Sequence, residues 1–191
     1  MKLVQQQRRA SAEAFELCIR EIRNIPGYER FLLGLTTTEM QACASKGSII
    51  IINVTNLGSH AIIVSSTEIR SLNLPNLYAS KARSWLNREW SIRRQDLGRN
   101  NREFRKYLSW LWEVCVKQVL IEGKFRVQPL ERGLPRIWWI GTGLASSMPF
   151  HAAGDHSPRS KENTFSRAIS SYTPSIKALA YARNVREKKI L

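Results

Sequence analysis

An unbroken apolar run, Ile137-Trp138-Trp139-Ile140, limits most strongly what this chain can fold into. Pro135 precedes the run, and Gly141-Thr142-Gly143 follows it. Four apolar residues without polar alternation, closed by a glycine turn, predict a short strand that is buried on both faces. Such a strand needs a covering layer on each side, as in the α/β fold, a mixed sheet flanked by helices, that we expect for the chain as a whole.

A second apolar run lies near the N-terminus and predicts the rest of the sheet. Ser48–Val54 is rich in β-branched residues and predicts a central strand. The segment 56–59, Asn-Leu-Gly-Ser, is a turn signal, and His60–Val64 then predicts a second strand that pairs with the first as a hairpin.

Helical periodicity accounts for most of the remaining apolar residues. Ser11–Arg23 carries an apolar stripe, and the capping-box pattern from Thr36 to Glu39 predicts a helix that ends before Gly47. The segment 104–122 predicts one long amphipathic helix, and Thr173 as N-cap with Pro174 predicts a final helix that ends near Arg186. The segment 188–191 predicts the start of another strand.

Composition restricts the class of protein. With 43% hydrophobic residues in 191, the chain can build a core and is not of a disordered class. No apolar run is long enough for a membrane span or a signal peptide, and three widely spaced cysteines imply neither a metal site nor a disulfide framework. These features predict a cytoplasmic protein in a reducing compartment, without cofactor, metal or membrane partner.

The formal charge of +15 raises the possibility of a nucleic-acid partner. Its densest part is a basic connection at 78–103, where arginines alternate with tryptophans. Arginines that neutralise phosphates and tryptophans that stack on bases would make a nucleic-acid-binding module of the stretch 81–106. The residues that would carry it are Arg83, Trp85, Arg88, Trp90, Arg93 and Arg94. The other interpretation is an exposed insertion whose tryptophans cover the core, because the arginines follow no helical face.

Three motifs occur in order in the last third of the chain: Pro-Arg-Ile-Trp-Trp-Ile from Pro135, Pro-Phe-His-Ala-Ala-Gly from Pro149 and Ser-Ser-Tyr-Thr-Pro-Ser from Ser170. They resemble the first half of the CHAT domain, a caspase- and separase-like cysteine-peptidase fold, in the form found in fungal tetratricopeptide-repeat proteins. The resemblance begins near Ile22 and implies a partial CHAT-like domain at 47–191 after a helical segment at 1–46. It also implies one sheet that contains both Ile51 and Trp139.

The activity that the resemblance implies for a complete domain is cysteine proteolysis linked to programmed cell death. Such a peptidase needs a thiolate, a histidine that activates it and backbone N–H groups for the oxyanion. In the family these residues lie in an apolar-His-Gly motif and a later Ser-Ala-Cys-like motif, and neither motif occurs here. We therefore expect a fragment, a degenerate copy or a pseudoenzyme that binds a protein partner, with no peptidase activity of its own. The strands at Ile137 and Ile190 are expected to lack neighbours.

Two residues imitate catalytic groups. Cys43 follows Gln41-Ala42 as in a caspase nucleophile signature, but it lies on a predicted helix with no histidine before it, which favours a packing role. His151 lies between Phe150 and Ala152 and is predicted to be a hydrogen-bonded, structural histidine. Asp155 and His156 alone make no zinc site.

Overall fold

The computed structural model describes residues 2–88, 97–125 and 133–188. The chain forms two compact units, Met1–Thr36 and Thr37–Leu191, whereas the division predicted from sequence falls after residue 46. Each unit is described by itself.

The N-terminal unit is one long helix followed by turns. Helix α1 spans Lys2–Arg23, so it begins earlier than the predicted Ser11. The segment after it forms turns, with Gly27 at a φ of 90°. The Nε of Arg23 donates to the carbonyl oxygen of Phe31 (2.9 Å), which holds these turns against the end of the helix.

The second unit contains a five-stranded mixed sheet with flanking helices, which confirms the predicted α/β class. The strands are β1 (Ser48–Val54), β2 (Ser59–Val64), β3 (Ile69–Asn73), β4 (Arg136–Gly143) and β5 (Ile169–Tyr172). Their order is β3-β2-β1-β4-β5. The predicted hairpin is confirmed, since β1 and β2 pair antiparallel, while β1, β4 and β5 run parallel. Ile50 pairs with Trp139 and Ile51 with Ile140, so the two predicted apolar strands lie side by side.

The helices of the second unit are α2 (Thr37–Cys43), α3 (Ala79–Leu86), α4 (Leu97–Leu111), α5 (Lys117–Glu122) and α6 (Ile176–Lys188). The predicted cap of the last helix is wrong. The N–H of Ala178 donates to Oγ of Ser175 (3.1 Å), which makes Ser175 the N-cap, whereas the hydroxyl of Thr173 donates to the carbonyl oxygen of Ser175 (3.1 Å).

The predicted long helix at 104–122 is interrupted. Between α4 and α5, Trp112–Val116 forms a π-helical segment in which the N–H of Lys117 bonds the carbonyl oxygen of Trp112. A π turn adds one residue to a helix and rotates the residues after it about the helix axis. Trp112, Cys115 and Val116, all in this segment, are buried.

The centre of the sheet, at β1 and β4, is buried on both faces, as the two apolar runs predict. Because side chains alternate along a strand, Ile50 and Ile52 lie on one face and Ile49 on the other, and all three are fully buried. Trp139 shares the face of Ile50 and stacks on Phe150 with ring centroids 5.2 Å apart. Its Nε1 donates to Oγ of Ser170 (3.0 Å), so β4 and β5 are joined by a side-chain bond as well as by the ladder.

The edges of the sheet differ from the expectation. The Ile137 strand, β4, is paired on both sides, with β1 and with β5, so the prediction that it lacks a neighbour is wrong. Ile190 lies outside the described residues. The two edge strands of the described sheet are β3 and β5.

The difference between core and surface positions on neighbouring strands can be measured. We expect Ile50→Ala, at a fully buried position, to lower the free energy of unfolding by about 2–5 kcal/mol, because it removes packed methyl groups and leaves a cavity. Ile62→Ala is the control, because this side chain on β2 is 40% exposed, and we expect a loss below about 1 kcal/mol. Urea denaturation measures both, and equal losses would contradict the assignment of the core.

Candidate functional site

The carboxyl ends of parallel strands are the usual place for functional groups in open α/β sheets. Strands β1 and β4 end together, where Val54 pairs with Gly143. Strand β5 ends earlier, since Tyr172 pairs with Trp139. The turn that contains His151 lies over this shorter end, because its N–H reaches the hydroxyl of Tyr172. We call this region the carboxyl edge.

At the ends of β1 and β4, the carboxyl edge carries one side-chain amide and two hydroxyl groups. The hydroxyl of Thr142 lies 2.9 Å from Oδ1 of Asn53 and bonds the carbonyl oxygen of Ile52 at 3.2 Å. The chain then turns so tightly that a Cβ on Gly141 would lie 2.2 Å from the carbonyl oxygen of Ala145. The hydroxyl of Ser146 donates to the carbonyl oxygen of Gly143 (2.9 Å). Thr142 therefore bonds Asn53, whereas Ser146 bonds only the backbone in the contacts of the described residues, and none of those contacts is with a base that could activate the serine.

His151 is hydrogen-bonded, as the sequence predicts. Its Nδ1 lies 2.9 Å from the hydroxyl oxygen of Tyr172, which also accepts the backbone N–H of His151 (3.1 Å). Burial raises the pKa of Tyr172, while hydrogen bonds from the backbone of His151 and Phe150 lower it. The pair fastens the 150–152 turn to the end of β5. Within the described residues, the partner of His151 is a phenol and not a thiol.

The three cysteines lie in different surroundings. Cys43 ends α2 shortly before β1, at the amino end of that strand, and its carbonyl oxygen accepts a bond from Arg183. Burial raises the pKa of its thiol, with Arg183 acting in the opposite direction. Cys115 is fully buried in the π-helical segment, and burial raises its pKa strongly. Cys18 is exposed on α1. A nucleophilic cysteine needs a stabilised thiolate, which the surroundings of Cys43 and Cys115 disfavour.

The Asp155–His156 loop is closed by local bonds. Asp155 accepts bonds from the N–H and hydroxyl of Ser157, and these bonds lower its pKa. His156 Nε2 lies 2.7 Å from the carbonyl oxygen of Ala152. A search of the described residues finds no group of three or more His, Cys, Asp or Glu that could hold a metal ion.

The basic stretch is helical at both ends, where the sequence indicated an aperiodic connection: α3 fills its start, and α4 begins at Leu97. Trp85 on α3 is 7% exposed and stacks on Tyr107, with ring centroids 5.4 Å apart. The guanidinium of Arg88 lies 4.2 Å from the centroid of the Trp85 ring. A tryptophan enclosed in this way has little surface to offer a base, and its placement matches the core-covering interpretation.

The charges of this stretch are partly used within the protein. Arg88 bonds Glu103 (2.7 Å), and Lys106 bonds the same carboxylate (2.7 Å). The two cations, Lys106 first and then Arg88, lower the pKa of Glu103 to about 2. Arg83 is exposed on α3. Arg93, Arg94 and Trp90 lie outside the described residues, so nucleic-acid binding by this stretch stays a prediction.

A feature that the sequence did not reveal lies on β4 and β5. Nη1 of Arg136 donates to the hydroxyl of Ser171 (2.6 Å), so a cation from β4 lies over the edge strand. The guanidinium groups of Arg136 and Arg183 lie 5.9 Å and 5.7 Å from the ring centroid of Trp138. The alternation of Arg136 and Trp138 was visible in the sequence, but the register that brings Ser171 beside them was not.

No protein-family model matches this chain, and a search of curated proteins finds no match either. None of the described helices has the length and apolar character that crossing a bilayer requires.

The cysteine environments predict an order of reactivity. With iodoacetamide at mildly alkaline pH, we expect Cys18 to react first, Cys43 more slowly and Cys115 only after unfolding, because exposure decreases in that order and burial raises the pKa of the last two. Peptide mass mapping over time measures the three rates. A Cys18→Ser variant shows whether Cys43 labels independently, and a fast reaction at Cys43 would contradict a packing role.

The buried hydroxyl of Tyr107 predicts an alkaline dependence of stability. The hydroxyl has no hydrogen-bond partner among the described residues, and burial raises its pKa to about 12. The unfolded chain loses this proton near pH 10, so the stability present below pH 10 is lost between about pH 10 and 12. Tyr107→Phe should flatten that decline and, at pH 7, leave the free energy of unfolding unchanged or higher by about 1 kcal/mol.

The control for this test is Tyr181→Phe, because Tyr181 is exposed and should not change the alkaline decline. Urea denaturation across the pH range measures both variants. A loss above about 1 kcal/mol in Tyr107→Phe at pH 7 would mean that the hydroxyl has a stabilising partner.

Proposed function

We propose that this chain is a partial CHAT-like, caspase-related domain that acts by binding another protein and has no peptidase activity of its own. The motifs from Pro135 to Ser175 support the resemblance. Its structural implications agree with the sheet, in which β1 and β2 form the opening hairpin and β4, the tryptophan-rich strand, lies parallel to β1.

The surroundings of the cysteines are the main support for the proposed lack of peptidase activity. All three cysteines lie in described residues, and neither Cys43 nor Cys115 combines access to the carboxyl edge with a stabilised thiolate. The histidine at that edge, His151, bonds Tyr172. A thiol–histidine pair within hydrogen-bonding reach is the minimum for this chemistry, and neither candidate thiol is paired with His151.

Features of the surface support the other half of the proposal, that the domain binds another protein. The chain combines a formal charge of +15 with exposed apolar side chains on β5, where Ile169 and Tyr172 are 44% and 46% exposed. Apolar side chains next to basic ones are common features of protein interfaces.

The test is an activity assay of the purified full-length chain against unfolded casein and a mixed peptide library. We expect no cleavage above a heat-treated control, and we expect Cys43→Ala and Cys115→Ala to behave like the unsubstituted chain. Cleavage that either substitution abolishes would overturn the proposal. The mass of the native protein in its cells, compared with 21.9 kDa, tests separately whether further residues complete the domain.

A further inference from the structure

We propose that the open edge of β5 binds an extended acidic segment of another protein, which joins the sheet as a further strand. This inference rests on the proposed function, since it names the surface and the chemistry of the partner. It depends on the register of β5, on the absence of edge protection and on the cation that β4 places over the edge.

The register shows which backbone groups of β5 face outward. The N–H of Ile169 bonds the carbonyl oxygen of Pro135, and the N–H of Thr173 bonds that of Trp139. In a parallel ladder, alternate residues face the same neighbour, so the backbones of residues 169, 171 and 173 face β4. The N–H and carbonyl groups of Ser170 and Tyr172 therefore point away from the sheet, and β4 is the partner of β5 among the described strands.

The two edges of the sheet differ in protection. On β3, Arg70 forms ion pairs with Glu68 (2.9 Å) and Glu122 (3.0 Å), so a charged side chain is fixed in place at that edge. Charged residues, prolines and bulges are the usual devices that keep edge strands from pairing. Strand β5, Ile-Ser-Ser-Tyr, contains no charge and no proline. Within residues 2–88, 97–125 and 133–188 its outward donors and acceptors have no backbone partner, so they are available for strand addition.

The side chains beside this edge indicate the chemistry of the added strand. On one face, the guanidinium of Arg136 lies at the hydroxyl of Ser171 and has no carboxylate partner within the described residues. On the other face lies the half-exposed ring of Tyr172. Successive residues of a strand point to opposite faces, so acidic residues beside Arg136 would alternate with apolar residues beside Tyr172.

Charge also favours an acidic partner over a second copy of this chain. Two copies would each bring a formal charge of +15, which opposes association, whereas an acidic segment is attracted to this surface. An acidic carboxylate would also pair with Arg136, which an uncharged strand cannot do.

The test is residue-resolved amide hydrogen exchange on the full chain, with a short, capped peptide of alternating aspartate and valine as the probe. Without peptide, we expect the amides of Ser170 and Tyr172 to exchange quickly and those of Ile169 and Thr173 slowly. With peptide in excess, exchange at Ser170 and Tyr172 should slow by about tenfold or more, because these two N–H groups acquire acceptors. A peptide with lysine in place of aspartate is the control and should leave them unchanged.

Matched variants test the role of the cation. Arg136→Gln should weaken peptide binding by about three- to fivefold, as for a partly exposed ion pair. Arg83→Gln removes the same charge from the exposed surface of α3 and should weaken binding less. Thermal melting of both variants checks that the fold is retained, and equal weakening by both would show that net charge rather than Arg136 attracts the peptide.

The remaining outcomes separate the inference from the proposed function. Unchanged exchange at Ser170 and Tyr172 at about 1 mM aspartate peptide would overturn the binding site and leave the absence of peptidase activity standing. Slow exchange that appears on raising the concentration of the chain alone would assign the edge to a second copy and overturn the acidic partner. Cleavage of the peptide would overturn the proposed function, whatever happens at β5.

Discussion

The architecture depends on β1, a strand that needs packing partners on both faces and hydrogen-bond partners on both edges. The isoleucines of β1 are buried on both faces of the sheet, and both of its edges are hydrogen-bonded, to β2 and to β4. Unpaired backbone groups at such depth would cost more than the strand gains. The β2 partner comes from a hairpin, but the parallel β4 partner requires a long crossover. The crossover contains β3 and the helices α3, α4 and α5, and these helices cover one face of the sheet.

The elements predicted correctly from sequence are those whose signals are local. Strands β1 and β4 are short apolar runs closed by glycine, and the β1–β2 hairpin has its turn residues in place. Strand β3 was missed because Ile69–Asn73 is half-exposed and partly polar, so it carries no apolar run. Helix α3 was missed because its buried residues, Ala79, Ala82 and Trp85, are spaced among basic ones. Thr173 and Ser175 are both common N-cap residues, and only the structure shows that it is Oγ of Ser175 that accepts the N–H of Ala178.

The site residues follow the same division. The bonded state of His151 was predictable from its neighbours, but its partner Tyr172 lies on another element. The sequence allowed Trp85 either to stack on a base or to cover the core. Its contact with Tyr107, a residue distant in sequence, favours the core-covering interpretation. The open edge of β5 was invisible for a stronger reason. It depends on strand order and on which amides face outward, and both are properties of pairing rather than of residue type.

The π-helical segment between α4 and α5 bears on how sequences of this fold can be compared. A single π turn is equivalent to one inserted residue, so removing one residue there restores a regular helix and leaves the residues after it on the same face, whereas a regular helix that kept all its residues would turn them by about 100°. Val119 and Leu120, both fully buried, would leave the core only in the second case, in which the π turn is lost and no residue is removed. A sequence alignment for this fold should therefore allow a one-residue gap at 112–116. The apolar positions before and after the gap should each be matched to the side of the helix that faces the sheet, and not to one continuous helical spacing.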